Sequence, residues 1–276
     1  MNKWVKVFLQ ILLWLIVLVT VFPFCWMVLL SFKTNTEILR QPLALPSTFS
    51  LSNLRSALHQ VDYLRMYGNT FVVALVSVIG GMFLTFMSSF ALAKMEFKSE
   101  RTRSFIHIFL LSGIAIPGFI LLYPIYRISV AMKIRDTLLG LILPYAATTL
   151  SFNTLLMVPF LHQLPKEIDE AAVIDGCNIW SLMFRVIAPI AKPILTTIFV
   201  FNIIYVFNEY PLASVLLDSA KNFTLALSVY QFKGLYSLNY GAMISGSLLI
   251  VIPELIFYGF FRRYVIEGMT AGAVKG

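Results

Sequence analysis

Side chains that could do catalytic or metal chemistry are few in this chain, and they form no familiar pattern. His59, His107 and His162 are widely spaced, and neither H-E-x-x-H nor the phosphate-binding pattern G-x-x-x-x-G-K-[ST] occurs. Cys25 lies in an apolar run and Cys177 in a polar loop, which favours neither a disulfide framework nor a metal site. The sequence therefore predicts no catalytic residue and no cofactor bound by this chain.

Two glutamates stand within or near the ends of long apolar runs. An acid at the centre of a bilayer costs about 2.5–3.5 kcal/mol on insertion scales, so Glu209 and Glu254 each require a physical reason. For Glu209 two interpretations stay open: a polar group facing a pathway, and a structural hydrogen bond to a neighbouring helix. For Glu254 the structural interpretation is favoured, because Pro253 frees a backbone group beside it.

The most charged stretch between apolar runs is the loop 161–192. Pro165 suits a first helical turn, acidic residues follow where the helix dipole favours them, and Gly176 is a natural stop. A second short helix is predicted from Ile179 to Ile187, ended by the prolines that follow it, Pro189 and Pro193.

One face of the first of these helices is informative. Ile168, Ala171, Ala172 and Asp175 share it, with Gly176 beside them. Small residues allow another surface to approach the backbone closely. The pattern therefore leaves two interpretations, a docking element for a cytoplasmic partner and an ordinary interfacial helix.

The composition indicates that these elements belong to a membrane protein. The 276 residues are 59% hydrophobic and 12% charged, against about 25% charged in soluble domains. The net charge of +8 does not indicate nucleic-acid binding, because the basic residues form short clusters between long apolar runs. Six runs are long enough to span a bilayer as helices, at about 7–30, 70–93, 104–126, 137–160, 194–217 and 241–261.

Proline or glycine interrupts several of these runs, which predicts either close helix packing or hinges around a pathway. The interruptions are Pro23, Gly80-Gly81, Gly113 with Pro117, Pro144 and Pro253. Between the first two runs, residues 51–59 are predicted to form a short amphipathic helix.

The basic clusters favour a cytoplasmic N-terminus, which places Lys94, Lys98, Arg101 and Arg103 inside and Lys133, Arg135, Lys221 and Lys233 outside. The predicted fold is all-α: a six-helix polytopic bundle with both termini cytoplasmic. It forms a single transmembrane domain over 1–276, with core spans at about 70–261 and a cytoplasmic helix between the fourth and fifth spans.

The loop and several other segments resemble a known family. Glu170-Ala171-Ala172, Asp175-Gly176, Ile187 and Pro189 resemble, in order and spacing, the EAA loop of bacterial ABC importer permeases. The resemblance covers nearly the whole chain and is similar to the carbohydrate branch, in particular the second permease of maltose-type importers. The segments that carry it are Ser31-Phe32-Lys33-Thr34, Asp136-Thr137, Phe207-Asn208-Glu209-Tyr210 and the tail 268–276. Phe207 departs from the family's tryptophan.

The resemblance implies a permease subunit in the bacterial cytoplasmic membrane, forming the path for a sugar or oligosaccharide. Its implied partners are a homologous second permease, two ATPase subunits that bind ATP and Mg²⁺, and an extracytoplasmic binding protein. Glu170, Ala171, Ala172, Asp175 and Gly176 would then couple to the ATPases. Hydroxyl partners and flat faces for a sugar are offered by Tyr145, Asn153, Tyr205, Asn208 and Glu209.

Other substrates and other classes of protein stay open at this point. The same branch handles glycerol phosphate esters, sialic-acid-like solutes and polyols. An ion-driven secondary transporter would use Glu209 but would leave the charged loop unexplained. A membrane-embedded enzyme would need a catalytic constellation that the sequence lacks.

Overall fold

The computed structural model describes residues 3–232 and 238–271, with side chains as far as residue 263. Lys233 and the tail residues 272–276, on which parts of the orientation and the resemblance rest, lie outside this range. Within it the long elements are helices: α1 Lys3–Leu30, α2 Asn35–Arg40, α3 Ser52–Gln60, α4 Tyr63–Lys94, α5 Glu100–Ser112, α6 Gly118–Ala131, α7 Leu138–Gln163, α8 Lys166–Ile174, α9 Ile179–Ile190, α10 Lys192–Asn208, α11 Pro211–Leu216 and α12 Tyr240–Ala271.

Four of the described helices are each long and apolar enough to cross a membrane, namely α1, α4, α7 and α12. Two pairs, α5 with α6 and α9 with α10, satisfy the same test only together and are bent at a short break, by 104° and 76°. The described residues therefore contain four to six spans. The short helix predicted at 51–59 is confirmed as α3.

The third predicted span, 104–126, is not one straight helix. α5 ends at Ser112, a short 3₁₀ turn covers Gly113–Ala115, and α6 begins after Pro117. Proline lacks the N–H that would continue the helix and disfavours helical backbone in the residue before it. The break therefore falls where a glycine, Gly113, and a proline, Pro117, lie within a few residues of each other.

The other prolines and glycines leave their helices continuous. Pro23, Pro144 and Pro253 lie inside α1, α7 and α12. Gly81 in α4 packs closely on α7, since a Cβ there would lie 3.1 Å from the carbonyl oxygen of Ala146. Small residues at such crossings allow membrane helices to approach each other. At Gly81 the packing interpretation is confirmed.

The chain divides into two compact units. The first comprises Met1–Tyr63 and Ser228–Leu255. In it the Lys33 side chain is 1% exposed and donates to the carbonyls of Gln41, at 2.7 Å, and Pro42, at 3.1 Å. Asn53 donates to the carbonyls of Ser31 and Lys33. These bonds fold the segment after α1 back on itself and satisfy a buried ammonium group.

The second unit comprises Leu64–Leu227 and Ile256–Gly276. A buried cluster of apolar side chains joins one end of α4 and α7 to α9 and α10: Phe86, Phe90, Met157, Leu161, Met183, Ile187, Ala191, Ile194 and Ile198. α9 contributes Met183 and Ile187 to this apolar cluster, and α8 packs against it through Ile168.

Candidate coupling loop and membrane cavity

α8 begins and ends where the sequence predicts. Pro165 occupies the N-cap position, and Glu167 and Asp169 lie in the first turn. After Ile174 the backbone reverses through Gly176, whose φ is +80°. The N–H of Cys177 donates to the Ala172 carbonyl and that of Gly176 to the Val173 carbonyl, which is the Schellman arrangement. A left-handed residue at this point favours glycine, so the helix stop at Gly176 is confirmed.

The second helix of the loop extends further than predicted. α9 starts after Asn178, whose side chain accepts from the N–H of Ser181, and its turns widen to π geometry over Leu182–Ile187. It then continues through Pro189 to Ile190 instead of ending at the proline. A widened turn separates the proline ring from the carbonyl it would otherwise meet, so the helix tolerates it. Pro193 opens α10 instead of closing α9.

The side chains of α8 divide between an inner and an outer face. Ile168 packs on the apolar cluster and Ala172 is 6% exposed, so both face the chain itself. Glu170, Ala171, Asp175 and Gly176 are exposed. The face expected to meet a partner is therefore split, and Ala172 and Ile168 serve to seat the helix.

The outer side of the loop exposes large apolar residues. Ile174 is 85% exposed and Val173 62%. On α9, Trp180 is 56% exposed and its ring stacks on that of Phe184. Clustered exposed apolar side chains rimmed by acidic residues are typical of a surface that another molecule covers.

A charged contact fixes α8 to the membrane helices. Lys94, at the last position of α4, donates to Asp169 Oδ2 at 2.8 Å and to the carbonyl of Leu164 at 3.1 Å. The lysine side chain is 6% exposed and the aspartate side chain 22%. Nothing in the sequence reading singled out Lys94 for this role, since it appeared only among the basic residues that orient the chain.

A cavity of about 1150 Å³ opens beside α6, α7, α10 and α11 in the second unit. Three of the five residues proposed for a substrate path line it: Tyr205, Asn208 and Glu209. Thr148, Thr149, Ser151 and Asn202 add polar groups, and Phe119, Phe152 and Phe201 add aromatic faces. Tyr145 and Asn153 are fully buried behind this lining.

Glu209 makes structural hydrogen bonds at the break between α10 and α11. Its carboxylate accepts from the Tyr145 hydroxyl at 2.6 Å and from the N–H groups of Leu212 at 2.8 Å and Ala213 at 3.2 Å. Pro211 opens α11 without an N–H, so the glutamate satisfies the first-turn donors that would otherwise lack a partner. Its 8% exposure leaves little surface for a solute.

Asn153 and Asn202 form a buried pair between α7 and α10. Asn202 Nδ2 donates to Asn153 Oδ1 at 3.0 Å, and both side chains are buried. Side-chain amides that bond across membrane helices contribute to helix association. The geometry therefore supports a packing role for Asn153, although Asn202 also borders the cavity.

Asp136 makes several hydrogen bonds to the segment 216–222. The sequence indicated Asp136 only as part of a family resemblance. It adopts a φ of 55°, and its Oδ1 accepts from the N–H groups of Asp218 and Ser219 at 3.0 and 2.9 Å. Its N–H donates to the Leu216 carbonyl, and the Asn222 side chain donates to the Asp136 carbonyl. Burial raises the pKa of Asp136, but the Ser219 hydroxyl and the two N–H groups outweigh it and hold the pKa below its usual range.

The described residues contain no group of three or more His, Cys, Asp or Glu side chains that could hold a metal ion.

Glu254 lies half-buried on α12.

Comparison with known proteins decides the family. Residues 91–266 match the model of the binding-protein-dependent transport system inner membrane component. The chain belongs to this family. It is therefore a multi-pass protein of the cytoplasmic membrane and a permease of the ABC transporter class, as the EAA resemblance predicted.

Individual relatives cover nearly the whole chain. The inner membrane ABC transporter permease protein YcjP of Escherichia coli is 33% identical and aligns with 95% of this chain and 94% of its own length. The diacetylchitobiose uptake system permease protein DasC of Streptomyces coelicolor is 33% identical and aligns with 93% of this chain and 92% of its own length. One chain in the crystal structure of a bacterial ABC transporter involved in the import of the acidic polysaccharide alginate has the same fold, with a TM-score of 0.80 and 21% identity. The match covers 96% of this chain and 98% of that chain.

Proposed function

We propose that this chain is the subunit that forms the translocation path for a sugar or oligosaccharide in an ATP-driven importer. The observation that carries the proposal is α8. It is a short helix with an exposed apolar outer face, seated on the membrane core and tied to α4, in a chain of the ABC permease family. Such a helix has the form of a docking element for an ATP-hydrolysing partner.

The carbohydrate assignment rests on named relatives and on the cavity. DasC is named for diacetylchitobiose, and two further relatives are named for arabino-oligosaccharides and for trehalose and maltose. The cavity combines hydroxyl and amide groups with aromatic rings, which suits a neutral polar solute with flat faces.

The ion-driven alternative receives little support. Glu209, the acid that it would require, accepts three hydrogen bonds from the chain itself. A carboxylate bound in this way stabilises a helix start and is poorly placed to release and take up a coupling ion.

We further propose six spans, with α5–α6 crossing once, α10–α11 crossing as the fifth span after the loop helix α9, and both termini in the cytoplasm. In this topology α8 lies inside, and the segment around Asp136 and Lys221 lies outside. The complex would contain a second permease, two ATPase subunits that bind ATP and Mg²⁺ on the cytoplasmic side, and an extracytoplasmic binding protein. Glu170, Ala171, Asp175 and Gly176 would contact the ATPase, with Ala172 behind them.

Transport by the reconstituted complex tests the proposal. Vesicles that contain this chain with its cognate permease, ATPases and binding protein are loaded with ATP and offered labelled diacetylchitobiose, maltose, arabino-oligosaccharides and glycerol 3-phosphate. Uptake of a saccharide that requires internal ATP is the expected result. Uptake driven by an ion gradient without ATP would exclude the proposed mechanism, and ATP-dependent uptake of glycerol 3-phosphate alone would exclude the substrate class.

A further inference from the structure

Lys94 joins three elements at one point. It ends α4, its ammonium group bonds Asp169 in the first turn of α8, and it also bonds the carbonyl of Leu164, the residue that caps the end of α7. The carbonyls at the end of a helix have no partner within the helix and carry its negative dipole end, so a cation is favoured there. Because the lysine is 6% exposed, these charge-assisted bonds are shielded from water.

The same end of α4 is held rigidly by apolar packing. Phe86 and Phe90 belong to the buried apolar cluster, and Lys94 follows Phe90 by four residues, on the same side of the helix. Ile168 of α8 packs on that cluster as well. α8 is thus attached to α4 by one ion pair and by a shared apolar base, so that a displacement of α8 acts directly on α4.

The opposite end of α4 is hydrogen-bonded to another segment of the second unit. Asn69 Nδ2 donates to the carbonyls of Lys221 and Phe223, both at 2.9 Å, and the N–H of Leu225 donates to Thr70 Oγ1 at 2.9 Å. From Asn69 to Lys94 the helix is unbroken and about 38 Å long at 1.5 Å per residue. One continuous helix therefore links the loop that holds α8 to the segment 221–225.

We propose that Lys94 is a positioning residue for energy coupling: its ion pair with Asp169 transmits the movement of α8 to α4, and α4 transmits it to the segment 221–225. This inference rests on the proposed function, because it requires an ATPase that moves α8. The ion pair is the part of the link that a single substitution can remove without disturbing the fold, since the rest of the attachment is apolar packing and unbroken helix.

The test measures movement at the far end and needs no knowledge of the solute. The substitution Lys221→Cys, in a chain whose own cysteines are replaced (Cys25→Ser and Cys177→Ala), introduces a single thiol that is labelled from outside with a membrane-impermeant maleimide. The full complex in vesicles is compared without nucleotide and after trapping with ATP and vanadate. In the chain with the intact ion pair, trapping is expected to change the labelling rate of the introduced thiol by about fivefold or more, because the rate follows the population of the accessible state and coupling between sites shifts populations by this factor.

Variants of the ion pair decide the proposal. Lys94→Ala and Asp169→Asn are expected to abolish the ATP-dependent change in labelling at position 221, while Lys94→Arg keeps it. Lys98→Ala removes an exposed cation four residues further along and serves as the matched control. The ATPase subunit that co-purifies with each variant, and its basal ATP hydrolysis, report separately on assembly.

Each other outcome has a defined meaning. An unchanged ATP response in Lys94→Ala would overturn the proposal. Loss of the ATPase subunit from both Lys94→Ala and Asp169→Asn would also overturn it, since the pair would then only hold α8 in place. A complex with the intact ion pair that shows neither an ATP response at position 221 nor ATP hydrolysis would instead refute the proposed function itself.

Discussion

Replacing Glu209 separates a structural carboxylate from a substrate ligand. In Glu209→Ala the N–H groups of Leu212 and Ala213 lose their acceptor, which costs about 1–2 kcal/mol, as for the loss of a side-chain cap at other helix N-termini. The buried Tyr145 hydroxyl also loses its acceptor, which costs a further 1–3 kcal/mol or so. We therefore expect the variant to be less stable by about 2–5 kcal/mol.

A double-mutant cycle makes this prediction sharper. Tyr145→Phe alone removes one donor from a charged acceptor and should cost about 1.5–3 kcal/mol. In the double variant the phenylalanine leaves no hydroxyl without an acceptor. We expect Glu209→Ala with Tyr145→Phe to be no less stable than Glu209→Ala alone, so that the coupling is at least as large as the cost of Tyr145→Phe, about 1.5–3 kcal/mol.

The measurement is the apparent unfolding temperature of the detergent-purified complex for the parent, both single variants and the double variant. Tyr205→Phe is the matched control, because Tyr205 lines the cavity and is 43% exposed. Additive losses would contradict the hydrogen-bonded unit. Parent-like unfolding of Glu209→Ala with a raised KM for the solute would show that the carboxylate serves the substrate.

Three further predictions concern other parts of the chain. Asp136 has a pKa below its usual value, so its bonds stabilise the fold fully above the ordinary aspartate pKa of about 3.9 and lose this effect only as the pH falls further. Asp136→Asn should lower the unfolding temperature at pH 7 and reduce the difference between pH 7 and pH 3; an equal difference in parent and variant would contradict this. Gly176→Val should lower solute moved per ATP, because its φ of +80° strains a β-branched residue. Among the described residues, apart from its two chain neighbours, no atom lies within 4 Å of the added Cβ, so the complex should still fold. Unchanged coupling would count against docking at α8. Lys33→Met should destabilise the protein by about 1.5–3 kcal/mol, because the buried lysine loses its charge-assisted hydrogen bonds to the carbonyls of Gln41 and Pro42, and Arg55→Met provides an exposed control for thermal unfolding.

The loop was predictable from the sequence because its signals are local. Pro165, the acidic first turn and Gly176 each act within a few residues of their own position, and the Schellman bonds at Gly176 involve neighbouring backbone only. The division of α8 into two faces was not predictable. It depends on where the apolar cluster lies, and that cluster is assembled from α4, α7, α9 and α10, whose contributing residues range from Phe86 to Ile198.

The break of the third span was visible but not distinguishable from harmless interruptions. Pro23, Pro144 and Pro253 are equally evident in the sequence, yet their helices continue. Whether a membrane helix tolerates a proline depends on neighbours that satisfy the freed backbone groups. The cap at Glu209 did have a usable signal, an acid two residues before a proline at a helix start. Its partner Tyr145, 64 residues away, had none.

The exposure of α1 has a consequence for how the protein is made. None of its 28 residues is buried in the described chain, so packing within the chain adds little to its stability. In the two-stage view of membrane protein folding, a helix of this kind is stable in the bilayer on its own transfer free energy before any tertiary contact forms. A defect in α1 would therefore act during synthesis, as failed or inverted insertion at the translocon, and would leave the unfolding temperature of correctly inserted molecules almost unchanged.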